Sequence, residues 1–369
     1  MEKVKIGIIG CGNISERYMI TLGTLFANTE VIAVSDLNPE NARRRAEQFQ
    51  IPKVCSSNKD LLSMEEIELV VVLTNPQFHY SVVRESLMAG KNTYVEKPLA
   101  LSVKDGKELL KLAEEKGVML AAAPDTILGA GVQTARRLLE NGWIGKPVAA
   151  ISHILTGGPE SWHPNPAFLY HKGAGPLYDV APYYVAGLTY LLGPVSSVMC
   201  SAKTTYQQRT ITSQPLSGTM IEVEVPTYLA GILNMENGVI CSIHHSFDVP
   251  YTKLGNSVEI YGTEGTLIVP TPCDFSGELY FRGRYSEEWA SIPMLFDYRE
   301  DSRGIGAADM ADALRHNRSP RLNADFAFHT LEVLQGLEKS AAENQSIQIL
   351  SSFEPSAPVS GREGWYRRQ

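Results

Sequence analysis

KIGIIGCGNIS, residues 5–15, joins an apolar run to a glycine-punctuated turn and then to the first residues of a helix. The run is β-branched and does not alternate with polar residues, the pattern of a parallel strand covered on both faces. Working outward, VIAVSD (31–36), ELVVVLT (68–74), NTYVEK (92–97) and VMLAAA (118–123) repeat it. Between them PENARRRAEQF (39–49), HYSVVRESLMAG (79–90) and VKDGKELLKLAEEKG (103–117) carry helical periodicity, with Gly90 and Gly117 where C-caps belong. Strand–helix alternation of this kind predicts an α/β fold with a doubly wound parallel sheet.

The turn after the first strand has a mechanical reason. Gly10 permits the tight bend, Gly12 lets the backbone approach a pyrophosphate, and Asn13 and Ile14 open a helix whose N-terminal N–H groups favour an anion. This is a Rossmann dinucleotide turn, with Ser15 at the third fingerprint position in place of Gly or Ala. The second strand ends at Asp36, 24 residues after Gly12, where a carboxylate accepts from ribose hydroxyls and repels a 2′-phosphate. NAD is therefore expected in preference to NADP. The competing reading has Asp36 capping the helix that begins near Pro39. Arg43-Arg44-Arg45 reads as a solvated helix face rather than a phosphate site.

The chain has 369 residues, enough for two domains, read as a Rossmann domain over 1–124 and a second domain over 125–369. A net charge of -8 argues against a nucleic-acid surface. No apolar run approaches the roughly 20 residues of a membrane helix. The start shows no signal-peptide pattern, and the five scattered cysteines lack a C-x-x-C pair. Both fit a reducing, cytoplasmic setting, and the cysteine pattern argues against a disulfide framework and a zinc site. The basic GREGWYRRQ at the end reads as a solvated tail.

In the second half KPVAAISHIL, TYLAGILNM, GVICSIHHSF and SVEIYGTEGTLIVP read as strands and a hairpin. Helices are expected near 131–141, 176–192 and 325–344, giving an α+β domain on a large, mainly antiparallel open sheet. His244 and His245, adjacent on a strand, face opposite ways and are poor joint ligands. No metal is expected.

Glu96-Lys97-Pro98 ends a strand of the first domain, at the sheet edge where ligands of doubly wound folds gather. Here the sequence resembles the glucose–fructose oxidoreductase/inositol dehydrogenase (Gfo/Idh/MocA) family. The matching stretches are IIGCGNIS, TNPQFHYSVVRESLMAGKNTYVEKPLA (74–100), ENGWIGKP (140–147), KGAGPLYDVAPYYVAGLTYLLGP (172–194) and YGTEGTLIVP (261–270). The resemblance implies an NAD-dependent oxidoreductase of a sugar, cyclitol or related polyol. It also implies a homodimer or homotetramer formed through the C-terminal sheet. Lys97 matches the family's active-site lysine, which also meets the cofactor, and Glu96 matches its ribose contact. Thr74, Asn75, Pro76 and His79 match the loop beside the dinucleotide, although a structural hydrogen bond at a helix start explains His79 equally well. Asp179 matches the aspartate of a D-x-x-x-H motif, and Tyr183 stands at the histidine position.

A tyrosine there resembles the variant found in glucose–fructose oxidoreductase and the dimeric dihydrodiol dehydrogenases. Asp179 and Tyr183, four apart, are expected on one face of one helix. A free tyrosine, with a pKa near 10, is a poor base at neutral pH. A lysine ammonium about 4 Å away contributes about 4 kcal/mol at an effective dielectric near 20. Halved for exposure, that still exceeds one pKa unit, so Lys97 is expected to poise Tyr183. The competing reading makes Tyr183 a core residue beside Tyr178 and Tyr184. Trp162 and His163, in a Pro-rich loop, are expected to offer a flat face and a hydrogen-bonding group to a sugar. Two other functions fit the same residues: an NAD-dependent glycosidase using transient oxidation, and a non-catalytic dinucleotide-binding protein.

Overall fold

The computed structural model of the chain describes residues 2–360 and 364–366. The chain divides into two compact units, and the division is not the linear one at 124/125. Of the described residues, those within 1–130, 295–331 and 353–369 form the first unit, and residues 131–294 and 332–352 the second.

The first unit is built on strands β1 (Val4–Ile9), β2 (Thr29–Ser35), β3 (Lys53–Val54), β4 (Leu69–Val72), β5 (Asn92–Val95) and β6 (Leu120–Ala122). They form one parallel sheet in the order β3-β2-β1-β4-β5-β6, the doubly wound arrangement expected. The helices between them are α1 (Asn13–Thr24), α2 (Pro39–Phe49), α3 (Asn58–Leu62), α4 (His79–Met88) and α5 (Val103–Lys116). Their ends follow local chemistry. The Asn38 side chain accepts the Glu40 N–H at the start of α2, and Ser102 accepts that of Asp105 at the start of α5. Gly117, in the left-handed region, closes α5.

The return of residues 295–331 to this unit has a physical cause. An Ala-rich helix over Ile305–His316, which the periodicity did not flag, is anchored by Asp125, whose carboxylate accepts the Gly304 and Gly306 N–H groups. Phe328 and Leu331 join the aliphatic core between sheet and helices, where the missing Cβ of Gly106 makes room for both rings and methyls. The solvated-tail expectation is corrected in its described part. Trp365 is buried, with its ring edge-on to Phe26 and stacked on Tyr298. The rest of GREGWYRRQ, residues 361–363 and 367–369, lies outside the described residues.

The second unit carries α6 (Ala130–Glu140, from Gly131), β7 (Pro147–Leu155), α7 (Gly175–Asp179), α8 (Ala181–Leu192), β8 (Val195–Lys203), β9 (Gln208–Thr210) and β10 (Met220–Glu222). It continues through β11 (Tyr228–Met235), β12 (Ile240–Ser246), β13 (Ser257–Gly262), β14 (Gly265–Pro270), β15 (Leu279–Gly283), β16 (Ala290–Ile292) and β17 (Ile347–Gln348). Nine strands make one open sheet, β16-β15-β14-β13-β7-β12-β11-β8-β17, antiparallel except where β7 and β12 run parallel. The short β9–β10 hairpin stands apart from it. One expected element is broken. The helix expected over 176–192 is two, because Pro182 offers no N–H and in a continuous helix its ring would crowd the Tyr178 carbonyl, so the chain breaks at Val180. Among the described residues no helix is long and apolar enough to cross a membrane.

Candidate active site

In the first unit the glycine turn separates two jobs. Gly10 has φ +102°, and a Cβ there would lie 2.7 Å from the Leu73 carbonyl carbon and oxygen, so the turn is pressed onto the chain leaving β4. A Cβ on Gly12 would meet nothing within 4 Å. Gly12 is also the N-cap of α1, and no side chain caps that helix. Open space, a bare backbone and uncapped N–H groups fit a dinucleotide pyrophosphate, which Gly10, Gly12, Asn13 and Ile14 would hold. Ser15 donates its hydroxyl to the Gly12 carbonyl at 2.7 Å, so the departure from the fingerprint fastens the turn internally.

Asp36 is aimed at this turn. Its Oδ2 accepts the Cys11 N–H at 2.6 Å and its Oδ1 the Asn38 N–H at 2.7 Å, while Asn38 itself caps α2. The capping alternative for Asp36 is thereby set aside. The solvated-face reading of the arginine run holds for Arg43 and Arg44 and fails for Arg45. Arg45 is buried, pairs with Glu16 at 2.7 Å and donates to the Gly12 carbonyl at 3.3 Å, bracing the turn from behind. The Cys11 thiol is buried and pushed up to about 12, by burial first and Asp36 second, and is no nucleophile.

Thr74, Asn75 and Pro76 follow β4, and the Thr74 hydroxyl oxygen is buried without a hydrogen-bond partner among the described residues. His79 is fully buried, with Nδ1 2.6 Å from the Pro98 carbonyl oxygen and Nε2 2.9 Å from that of Thr74. Burial pushes its pKa down, against the pull of the two carbonyls. The ring ties the Thr74 loop to the Glu96-Lys97-Pro98 segment, the structural hydrogen bonding at a helix start that stands beside cofactor contact as a reading of His79. Glu96 and Lys97, half-buried, leave the carboxyl end of β5. Glu96 Oε1 accepts the Tyr18 hydroxyl at 2.8 Å, and Oε2 accepts the Lys97 N–H at 2.8 Å.

In the second unit Asp179 closes α7 and Tyr183 is the third residue of α8, so the expected single helical face is replaced by a helix break at Val180. The core-tyrosine alternative describes the neighbours instead. Tyr184 is buried with its hydroxyl 2.9 Å from Thr271 Oγ1, and Tyr178 is buried and donates to Glu338 at 2.6 Å, whereas Tyr183 is half-buried. Burial pushes the pKa of both neighbours well above the ordinary tyrosine range.

Trp162 is 68% exposed and meets the edge of His163, which in turn meets Phe168. His163 Nδ1 accepts the Asn165 N–H at 3.0 Å, which leaves the ring proton of the neutral form on Nε2 as a donor. Arg209, which no sequence motif flagged, organises this loop. It pairs with Glu160 and Asp248 and donates to the carbonyls of Gly157 and Phe247. The Glu160 carbonyl receives the Thr212 and Ser213 N–H groups, and Ser213 Oγ donates to the His163 carbonyl at 2.6 Å. His245 is a core residue beside Tyr184, and burial pushes it down to about 3. Among the described residues no cluster of His, Cys, Asp and Glu suits a metal ion.

The two glycines give a paired prediction. Gly12→Ala is expected to keep the parent's unfolding midpoint and to lose NAD affinity by at least tenfold. Gly10→Ala is expected to destabilise the fold by about 2 kcal/mol through the left-handed backbone and the Leu73 overlap. Thermal unfolding and NAD titration of both variants check it.

Residues 4–123 match the family model described as "Oxidoreductase family, NAD-binding Rossmann fold", and residues 132–268 match "GFO/IDH/MocA C-terminal domain". The chain is 26% identical to 1,5-anhydro-D-fructose reductase of Ensifer adhaerens over 268 residues, 71% of this chain and 74% of that protein. Among solved structures, an NAD binding oxidoreductase from Klebsiella pneumoniae superposes with a TM-score of 0.82 at 22% identity, covering 95% of this chain and all of that one. Levoglucosan dehydrogenase in complex with NADH and L-sorbose superposes with a TM-score of 0.81 at 20% identity, over 95% of this chain and 99% of that one. These two structural likenesses show the fold. With one family's two domain models matched in succession along the sequence, the chain belongs to the Gfo/Idh/MocA family of oxidoreductases.

Proposed function

We propose that the protein is an NAD-dependent oxidoreductase that moves a hydride between nicotinamide and a carbinol carbon of a sugar, cyclitol or related polyol. The observation that carries the reading is Asp36, whose carboxylate is fixed to the glycine turn by the Cys11 N–H. Such a group receives ribose hydroxyls and repels a 2′-phosphate, so NAD is preferred. When bound, the dinucleotide supplies the hydride acceptor or donor. Glu96 receives ribose hydroxyls, and Thr74, Asn75 and Pro76 border the cofactor. Lys97 holds the substrate oxygen and lowers the pKa of Tyr183, which takes or returns the hydroxyl proton. Asp179 orients Lys97 or a substrate hydroxyl. Trp162 offers its face to the sugar ring, and His163 donates from Nε2. Relatives named for 1,5-anhydro-D-fructose and levoglucosan support a sugar substrate.

A homo-oligomer formed through the sheet of the second unit completes the reading. Ile151, Ile232 and Met199 are exposed on the sheet face opposite its buried residues, and Ile232 pairs in register with both Met199 and Ser242.

Screening the purified protein against polyols and aldoses with NAD and NADP, by absorbance of the reduced cofactor, tests the function. Turnover with NAD on a member of this class is the expected result. Tight NAD binding without turnover on any member overturns the enzymatic reading, and a preference for NADP overturns the role of Asp36.

A further inference from the structure

The inward face of α2 carries a charge among alanines. Ala42, Arg45 and Ala46 are the buried residues of that helix, and the Arg45 side chain is 6% exposed. Its Nη1 donates to Glu16 Oε2 on α1 and to Gln48 Oε1, both at 2.7 Å. Gln48 closes the ring by donating to Glu16 Oε1 at 2.9 Å. Arg45 Nη2 donates to the Gly12 carbonyl at 3.3 Å, and the Ser15 hydroxyl reaches the same oxygen at 2.7 Å. Two side chains therefore hold one backbone oxygen at the N-cap of α1.

That oxygen belongs to the peptide unit whose other end is the N–H of Asn13, the first residue of α1. In a planar trans peptide the oxygen and the hydrogen swing together, so holding one aims the other. Gly12 itself does little to restrain the unit: it has no side chain, and a Cβ there would meet nothing within 4 Å. A cationic donor on the carbonyl also polarises the amide and strengthens its N–H. Arg45 acts through this peptide rather than as a free counter-charge, because Glu16 neutralises it at 2.7 Å. We propose that Arg45 is a positioning residue for the dinucleotide: with Ser15 it locks the Gly12–Asn13 peptide in the orientation that presents the Asn13 N–H to the pyrophosphate. The proposal rests on the reading that the pyrophosphate lies at the glycine turn. It divides the labour within the first unit, with Arg45 serving the phosphates and Asp36, fixed to the Cys11 N–H, serving the adenosine ribose.

The test measures the affinity of the full chain for NAD, ADP-ribose and adenosine, by calorimetry and competition, in the parent, Arg45→Met and Arg45→Lys. Methionine keeps an apolar side chain on the buried face of α2. Glu16, 44% exposed, regains water, and the Arg45 Nε, buried without a partner among the described residues, leaves with the guanidinium. The unfolding midpoint is therefore expected to fall by only a few degrees. Arg45→Met is expected to lose NAD and ADP-ribose affinity about tenfold, the size of one charge-assisted hydrogen bond, and to keep adenosine affinity within about twofold. Arg45→Lys keeps the charge but gives up the two-nitrogen fork that reaches both Glu16 and Gly12, and the same pattern is expected. A role confined to stability would lower all three affinities together or none. Parental ADP-ribose affinity in Arg45→Met, or an equal fall for adenosine and ADP-ribose, overturns the proposal; if the methionine variant does not fold, Arg45→Lys is judged by the same two outcomes. A parent that binds ADP-ribose no more tightly than adenosine removes the pyrophosphate from the glycine turn and overturns the underlying reading too. A parent that discriminates, with variants that discriminate equally, overturns the proposal alone.

Discussion

Lys97→Met is expected to retain the parent's unfolding midpoint and to lose turnover by about 10³-fold. Methionine keeps the apolar stem of a half-buried lysine and removes only the ammonium, so the packing of the stem is preserved. An ammonium about 4 Å from a developing oxyanion contributes about 4 kcal/mol at an effective dielectric near 20. Each 1.4 kcal/mol is about tenfold in rate, which sets the expected loss. Tyr183→Phe removes a single hydroxyl and is expected to cost about 10²- to 10⁴-fold, the range for a general acid–base group. Tyr184→Phe is the control: its hydroxyl sits 2.9 Å from Thr271 Oγ1 inside the second unit, and its loss is expected to cost about 1 kcal/mol of stability and no turnover. Steady-state kinetics on the substrate found by screening, with NAD titration of each variant, separates the two effects. Full turnover in both Lys97→Met and Tyr183→Phe sinks the mechanism.

The parallel sheet and its glycine turn were readable because their signals are local. Uninterrupted β-branched runs mark five of the six parallel strands, and a glycine pair between strand and helix marks the turn. Lys53–Val54 escaped because two residues carry no periodicity. The break at Val180 was also local, since Pro182 announces it, but the apolar run through Leu192 masked the proline. Arg45, Asp125, Arg209 and Trp365 were not legible for a different reason. Each looks polar, isolated or terminal in sequence and gains its role from partners 29 to 339 residues away: Glu16, Gly304, Glu160 and Phe26. Burial of a charge depends on who arrives to pair with it, and a single sequence does not display that.

Arg209 carries the second large effect, and its burial sets the size. Its side chain is 7% exposed between Glu160 at 13% and Asp248 at 5%. Two buried carboxylates pay a desolvation penalty that this guanidinium offsets, and removing it leaves both unpaired. Arg209→Met is therefore expected to destabilise the protein by about 3–5 kcal/mol, the cost of breaking a buried pair. Adding Glu160→Gln and Asp248→Asn to the same chain is expected to recover much of that loss, because the unpaired charges go with their partner. The functional consequence is specific as well. Glu160 holds Thr212 and Ser213, and Ser213 holds the His163 carbonyl, so the loop carrying Trp162 loses its anchor. KM for the sugar is expected to rise at least tenfold at a temperature where the variant stays folded. NAD affinity is expected to stay unchanged, because the glycine turn, Asp36 and Glu96 belong to the other unit. Urea unfolding, substrate kinetics and NAD titration on the single and triple variants decide it. An Arg209→Met protein with parental KM would mean that the loop needs no such anchor and that Trp162 and His163 do not hold the substrate.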